Sequence, residues 1–216
     1  MKLILNFISG ILAGFAIGFG GLLNIAITDN LQNIIGKFLG AVMFSVGLLS
    51  ICIFKLKLYT GQVSRLFTER TLLTVIELGL MLIGNMIGAS IFGTGIHYIY
   101  KADKIESISM SKSPSNWEEW IKTLLNGIYC GLCVQYAVTS FKRCDRVTGI
   151  FLLVFYVSLF VYNGFDHCVA NMFYIAIAQK WKWNSMLSIL LCIITNAIGT
   201  IPILLYERSI SLMNGS

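Results

Sequence analysis

The chain has 216 residues, 56% of them hydrophobic and 12% charged, with a formal net charge of +6 and a mean hydropathy of +0.79. That balance excludes an ordinary water-soluble domain, in which about 25% of residues are charged. The apolar surface is expected to face lipid, in one all-α membrane domain of the bundle type over residues 1–216. The basic residues cluster at the ends of apolar runs, as membrane helices place them, so the charge calls for no nucleic-acid partner.

Six spans of about 20 residues are predicted. The first, Leu3 to Ile27, carries Gly10, Gly14 and Gly18. Small residues at four-residue spacing let two helix backbones approach closely, a packing role compatible with lining a pore. The run is too long and lacks the cleavage pattern for a signal peptide, so it is expected to stay as a helix. The second span, Ile34 to Phe54, stops at Lys55-Leu56-Lys57-Leu58-Tyr59-Thr60-Gly61-Gln62 and resumes weakly to Phe67. Two readings stay open: a helix broken at depth, where protein or a water-filled cavity must satisfy the backbone, or a helix end whose lysines snorkel to the interface.

The third span, Leu72 to Ile99, contains Glu77 and Gly84-Asn85-Met86-Ile87-Gly88. A hydrophilic stretch with Pro114 follows, from Tyr100 to Trp120, and His97 at its edge reads as interfacial. The fourth span is Ile121 to Phe141, and the connector Lys142-Arg143-Cys144-Asp145-Arg146 leads into the fifth, Val147 to Ala178. Trp181 and Trp183, with Lys180 and Lys182, mark a membrane interface. The sixth span, Met186 to Tyr206, carries Thr195-Asn196-Ala197-Ile198-Gly199 and Pro202. Lys and Arg divide evenly between the two sides; the short basic connector tips the N-terminus inward. Cys130-Gly131-Leu132-Cys133 has CxxC spacing without a second Cys/His pair and reads as packed small residues, so no metal or other cofactor is expected.

The fifth span holds the most costly residues. Asn163-Gly164 favours a turn, and Asp166 is a good N-cap for a helix restarting behind it. Ionisable groups at bilayer depth point to function, so His167 is expected to face a pore. The bland alternative is a buried histidine locked to Thr60, Asn171 or Asp166. If Thr60 and Asp166 both cap restarting half-helices, two positive helix ends converge near the midplane and favour an anion. His167 then supplies either a neutral donor or a cation. The substrate expected is a small weak acid, whose neutral form crosses apolar surroundings far more cheaply than its anion. Asn171 shares a face with His167 one turn on. Asn85 and Asn196 either line the pore or bind helices together, with the second the safer reading.

The halves, about 1–100 and 120–208, echo each other. Ser9-Gly10-Ile11-Leu12-Ala13-Gly14 matches Asn126-Gly127-Ile128-Tyr129-Cys130-Gly131 in type, the interruptions fall in spans two and five, and Asn-x-x-Gly recurs in spans three and six. An odd number of spans per half makes the repeats inverted, an arrangement that places sites at broken helices.

Gly164-Phe165-Asp166-His167-x-x-Ala170-Asn171-Met172-Phe173, Gly40-Ala41 with Phe44, Ser45-x-Gly47-Leu48, and Leu58-Tyr59-Thr60-Gly61 together resemble the formate/nitrite transporter family. The resemblance implies an aquaporin-like six-helix protomer in a homopentamer, each protomer with its own pore, in the plasma membrane with the N-terminus inside. It implies that His167 is the central pore histidine, that Thr60 reaches it, that Asn171 supports it, and that Phe44, Leu48, Leu58 and Phe160 form two hydrophobic constrictions. Lys57 stands where an acidic residue is usual, and is expected to pair with Asp166 or to attract anions. Asp166 stands for Glu, Gln62 for Asn or Ser, and Gly131 for a polar Asn; the family's N-terminal amphipathic segment is not expected, because the sequence enters its first span almost at once. The expected partners are a small weak-acid anion, protons and the lipid bilayer. A neutral-solute pore lacks its paired Asn-Pro-Ala boxes, an enzyme lacks a second catalytic cluster, and a non-transporting sensor or scaffold is the remaining alternative.

Overall fold

In the computed structural model, which describes residues 2–101, 105 and 112–213, nine helices and no strand occur among the described residues. They are α1 (Lys2–Asn30), α2 (Ile34–Ile53), α3 (Arg65–Thr68), α4 (Leu72–Ile99), α5 (Trp117–Arg143), α6 (Arg146–Tyr162), α7 (Cys168–Ala178), α8 (Trp183–Ile198) and α9 (Ile201–Met213). Residues 102–104 and 106–111 of the hydrophilic stretch after Tyr100 lie outside the described residues.

Five stretches are long and apolar enough to cross a membrane, with α8 and α9 counted as one; α6 and α7 are shorter apolar helices. The sixth predicted span is therefore two helices joined at Gly199-Thr200, two residues before Pro202. Proline at the second position of α9 does not cost a helical hydrogen bond. The outer faces are apolar: Ile4, Leu5, Ile8, Leu12 and Phe19 are all exposed on α1, as a lipid-facing stripe requires.

Long helices pack in two similar sets. α1 lies against α2 and α4, α5 lies against α6 and α8, and α2 meets α6 while α4 meets α7. The glycine ridge of α1 is used within the chain. A Cβ on Gly14 would run into the Asn85 carbonyl of α4, and one on Gly88 would run into the Ile11 carbonyl of α1. Gly131 and Gly199 do the same between α5 and α8, where a side chain at Gly131 would overlap the backbone of Asn196. The departure noted at Gly131 thus has a steric reason: the helices are too close there for an asparagine.

Candidate functional site

The second interruption begins where α6 ends. Gly164 is left-handed (φ 72), its N–H donates to the Val161 carbonyl (3.0 Å), and the Phe165 N–H donates to the Phe160 carbonyl (2.9 Å). These paired bonds close a helix through a left-handed residue, a conformation glycine adopts without a Cβ clash. His167 is extended (φ −98, ψ 118), and α7 starts at Cys168.

The N-cap of α7 is His167, not Asp166 as expected: its Nδ1 accepts the Ala170 N–H at 3.2 Å. Asp166 lies one residue too early and its carboxylate is turned aside. Oδ1 accepts from Lys112 Nζ (2.6 Å) and Asn171 Nδ2 (3.0 Å), and Oδ2 from Asn126 Nδ2 (3.2 Å). Asn171 shares the face of His167, but its side chain serves Asp166 and, at 3.7 Å, the Cys192 thiol. Lys112 is also the residue that pairs with Asp166 in the place expected for Lys57.

Because Nδ1 of His167 accepts a backbone N–H, the hydrogen-bond network assigns the ring proton to Nε2. That nitrogen then donates to Thr60 Oγ1, 2.9 Å away, with both residues buried. Thr60 belongs to the first interruption. There α2 also ends through a left-handed residue, Lys55 (φ 55), with the Leu56 N–H donating to the Ile51 carbonyl at 2.9 Å. Thr60 caps no helix: the next one, α3, has four residues, and Ser64 at its N-cap makes no side-chain cap bond. The expected convergence of two positive helix ends reduces to one, that of α7.

Two asparagines hold the interruptions in matching ways. Asn85 of α4 accepts the Tyr59 N–H (2.8 Å) and donates to the carbonyls of Lys57 (2.8 Å) and Gly10 (2.9 Å). Asn196 of α8 accepts the Cys168 N–H (3.1 Å) and donates to the carbonyls of Asp166 and Gly127, both at 2.8 Å. Each side chain satisfies two backbone groups that left the helical ladder, and binds a neighbouring helix as well.

Two cavities flank the interruptions, and the smaller one reaches His167. One of about 160 Å³ is lined by His167, Phe44, Phe160, Lys112, Asn171 and Asn24, among others. The other, of about 500 Å³, is lined by Leu48, Leu58, Lys55, Lys57, Arg65 and Lys142, among others. Phe44 and Leu48 lie one turn apart on α2, so that helix supplies a wall to each. Phe44 and Phe160 meet edge to face with centroids 5.8 Å apart, and Phe160 stacks on His167 at 6.0 Å. His97 stands away from the centre, bonding the Ile177 carbonyl through Nδ1 at 2.8 Å. Lys112 is the site residue that sequence reasoning misses. It follows a polar stretch with no periodicity, and only an unpartnered intramembrane carboxylate at Asp166 hints that a cation must come from somewhere.

A family profile described as formate/nitrite transporter matches residues 1–206. The chain is 28% identical over 150 residues to the formate channel FocA of Haemophilus influenzae, covering 64% of this chain and 53% of that protein, about half the relative's length. It is 30% identical over 211 residues to the uncharacterized transporter YrhG of Bacillus subtilis, covering 88% of this chain and 78% of that one. Among solved structures, a pentameric formate channel with formate bound superposes with a TM-score of 0.80 at 20% identity, covering 98% of both chains. An FNT family ion channel superposes at 0.83 and 16% identity, covering 94% of this chain and 89% of that one. At those identities the likeness speaks for the fold. With the profile match running over nearly the whole sequence, this chain is a multi-pass membrane protein that belongs to the formate/nitrite transporter family.

Proposed function

We propose that the chain is a channel for small monovalent anions of weak acids, of the formate, nitrite or hydrosulfide type. Solute passes His167 between an aromatic constriction, Phe44 with Phe160, and an aliphatic one, Leu48 with Leu58. The observation that carries this reading is the buried Thr60–His167 pair, with one cavity lined by Phe44, Phe160 and His167 itself and a second, cation-bearing cavity lined by Leu48 and Leu58. The matching asparagine brackets support two inverted three-helix repeats, with spans two and five broken. The superposition on a pentameric channel supports a homopentamer in the cell membrane, one pore per protomer.

His167 acts as a neutral donor. Its Nδ1 is committed to the Ala170 N–H, so forming the imidazolium would break the cap of α7. With Nε2–H directed at Thr60, the threonine hydroxyl is left to donate its own proton toward a passing anion. The apolar constrictions exclude a hydrated ion and admit a solute that has gained a proton, because desolvation cost falls steeply with charge. Lys57, at the larger cavity, raises the local concentration of anions before that step.

Flux into liposomes across formate, nitrite, hydrosulfide, acetate and lactate, with His167→Ala alongside, tests the reading. Saturating uptake that rises as external pH falls, and is lost or loses its saturation in the variant, is the expected result. Passage of water or glycerol without any weak acid would make this a neutral-solute pore, and passage of nothing a sensor or scaffold.

A further inference from the structure

The cavity of about 500 Å³ is far larger than a three- or four-atom anion needs, and falls within the roughly 300–1,000 Å³ of sites for larger ligands. Lys55, Lys57, Arg65 and Lys142 line it, and no acidic side chain does among the described residues. Arg65 is already engaged by Glu69 and Glu77. Among the described residues, no carboxylate pairs with Lys55, Lys57 or Lys142. Lys55 and Lys142 sit at the C-terminal ends of α2 and α5, where a cation also offsets the helix carbonyls. Lys57 sits at no helix end, so its charge is surplus.

We propose that this cavity is a binding site for a soluble multivalent anion bearing phosphate, distinct from the permeating solute. Attraction to three lysines grows with the ligand's charge, so a di- or trivalent phosphate is favoured over a monovalent carboxylate. The same charge stops it at the floor of the cavity, where buried Leu48 and Leu58 offer no compensation for desolvation. The ligand therefore occupies the vestibule without passing and competes with monovalent anions for entry. Only that last consequence rests on the channel reading; binding itself does not.

The test is titration calorimetry of the full chain in uncharged, lipid-free detergent, with pyrophosphate as the probe. Saturable binding of one pyrophosphate per protomer, weakened by salt, is expected. Lys57→Gln should weaken it about three- to tenfold, and the triple variant with Lys55→Gln and Lys142→Gln should abolish it. Formate flux in liposomes, normalised to each variant's uninhibited rate, should be blocked by pyrophosphate only on the side bearing this cavity. No binding by the intact, folded wild type overturns the proposal, as does binding that survives the triple variant. Retention of anionic phospholipid in place of pyrophosphate also overturns it, since the occupant is then a headgroup. Pyrophosphate binding with no formate flux in any protein keeps the site and removes the channel.

Discussion

The two interruptions share a backbone frame and differ in what the frame carries. Each starts with a left-handed residue closing a helix, Lys55 or Gly164, and each is bracketed two and four residues later by an asparagine from a helix of its own half. In that register Lys57 corresponds to Asp166 and Leu58 to His167. The first half thus places a leucine where the second places an imidazole, and, where the second places a carboxylate, a cation that no carboxylate pairs among the described residues. After the bracket the second half re-enters a helix of 11 residues at once, while the first goes through a turn that delivers Thr60 and then a four-residue helix. Matching hydrogen bonds fix where the two segments stop, and unlike side chains give the centre its single donor pair.

The largest effect expected is at the charges. Lys112→Ala leaves the Asp166 carboxylate buried without its cation, and should destabilise the protein by about 3–5 kcal/mol. Lys57→Ala, at the equivalent of Asp166 in the first half, should stay within about 0.5 kcal/mol, since it breaks no ion pair among the described residues. Denaturant unfolding in detergent separates the two, and equal losses would mean the interruptions are not differently loaded.

The brackets should behave alike. Asn85→Ala and Asn196→Ala each orphan two backbone groups that left the helical ladder and remove a link to a neighbouring helix, an expected loss of about 2–3 kcal/mol apiece. The loss at Asn196 should also reduce solute flux, because it holds both neighbours of His167. A tolerated Asn85→Ala would show that the first interruption is held by something else, such as the Ser9 hydroxyl that accepts the Lys57 N–H at 3.0 Å.

The helix ends should differ in sign. Gly164→Ala forces a Cβ into a left-handed position and should cost about 1 kcal/mol, whereas Lys55→Gly relieves that strain and should gain up to about 1 kcal/mol. Thermal unfolding in detergent would read both, and a stabilised Gly164→Ala would contradict the shared frame.

Much of this frame is legible in the sequence, because membrane spans and breaks are written in local composition. Asn163-Gly164 announces its turn, and the recurrence of Asn-x-x-Gly marks both brackets. The expected role of those asparagines as links between helices matches their bonds to Gly10 and Gly127, though their grip on the interruptions is not foreshadowed by residue type. The caps are harder to place, because one residue of register decides whether a side chain reaches the third amide of a helix. Asp166 and His167 compete for that place, and the choice turns on Lys112, 54 residues away in sequence. Thr60 misleads as a cap for a similar reason: Thr-Gly favours a turn, and nothing local says how long the next helix runs.

The smallest effect lies at α3, the short helix behind the first interruption. It is pinned by Arg65, which donates through Nε and Nη2 to Glu69 (2.7 and 2.9 Å) and through Nη2 to Glu77 (2.9 Å). The second interruption runs straight into α7 and needs no such anchor. Hydrogen bonding to Arg65, and then to Thr74, draws the Glu69 carboxyl down from the usual 4.5 to about 2. A group whose folded value is depressed adds stability that is complete above its unfolded value and disappears as pH falls through the folded one. The contribution of Glu69 should therefore be full above about pH 4.5 and fade toward pH 2. Its side chain is 43% exposed, so solvent screens the pair and the effect should be modest. In melting curves between pH 6 and pH 3, wild type should exceed Glu69→Gln by a small margin that narrows only below about pH 4.5. A margin constant across that range would mean that the carboxylate's charge does not fasten α3, and that the first interruption ends, like the second, without an ion pair on the helix that follows it.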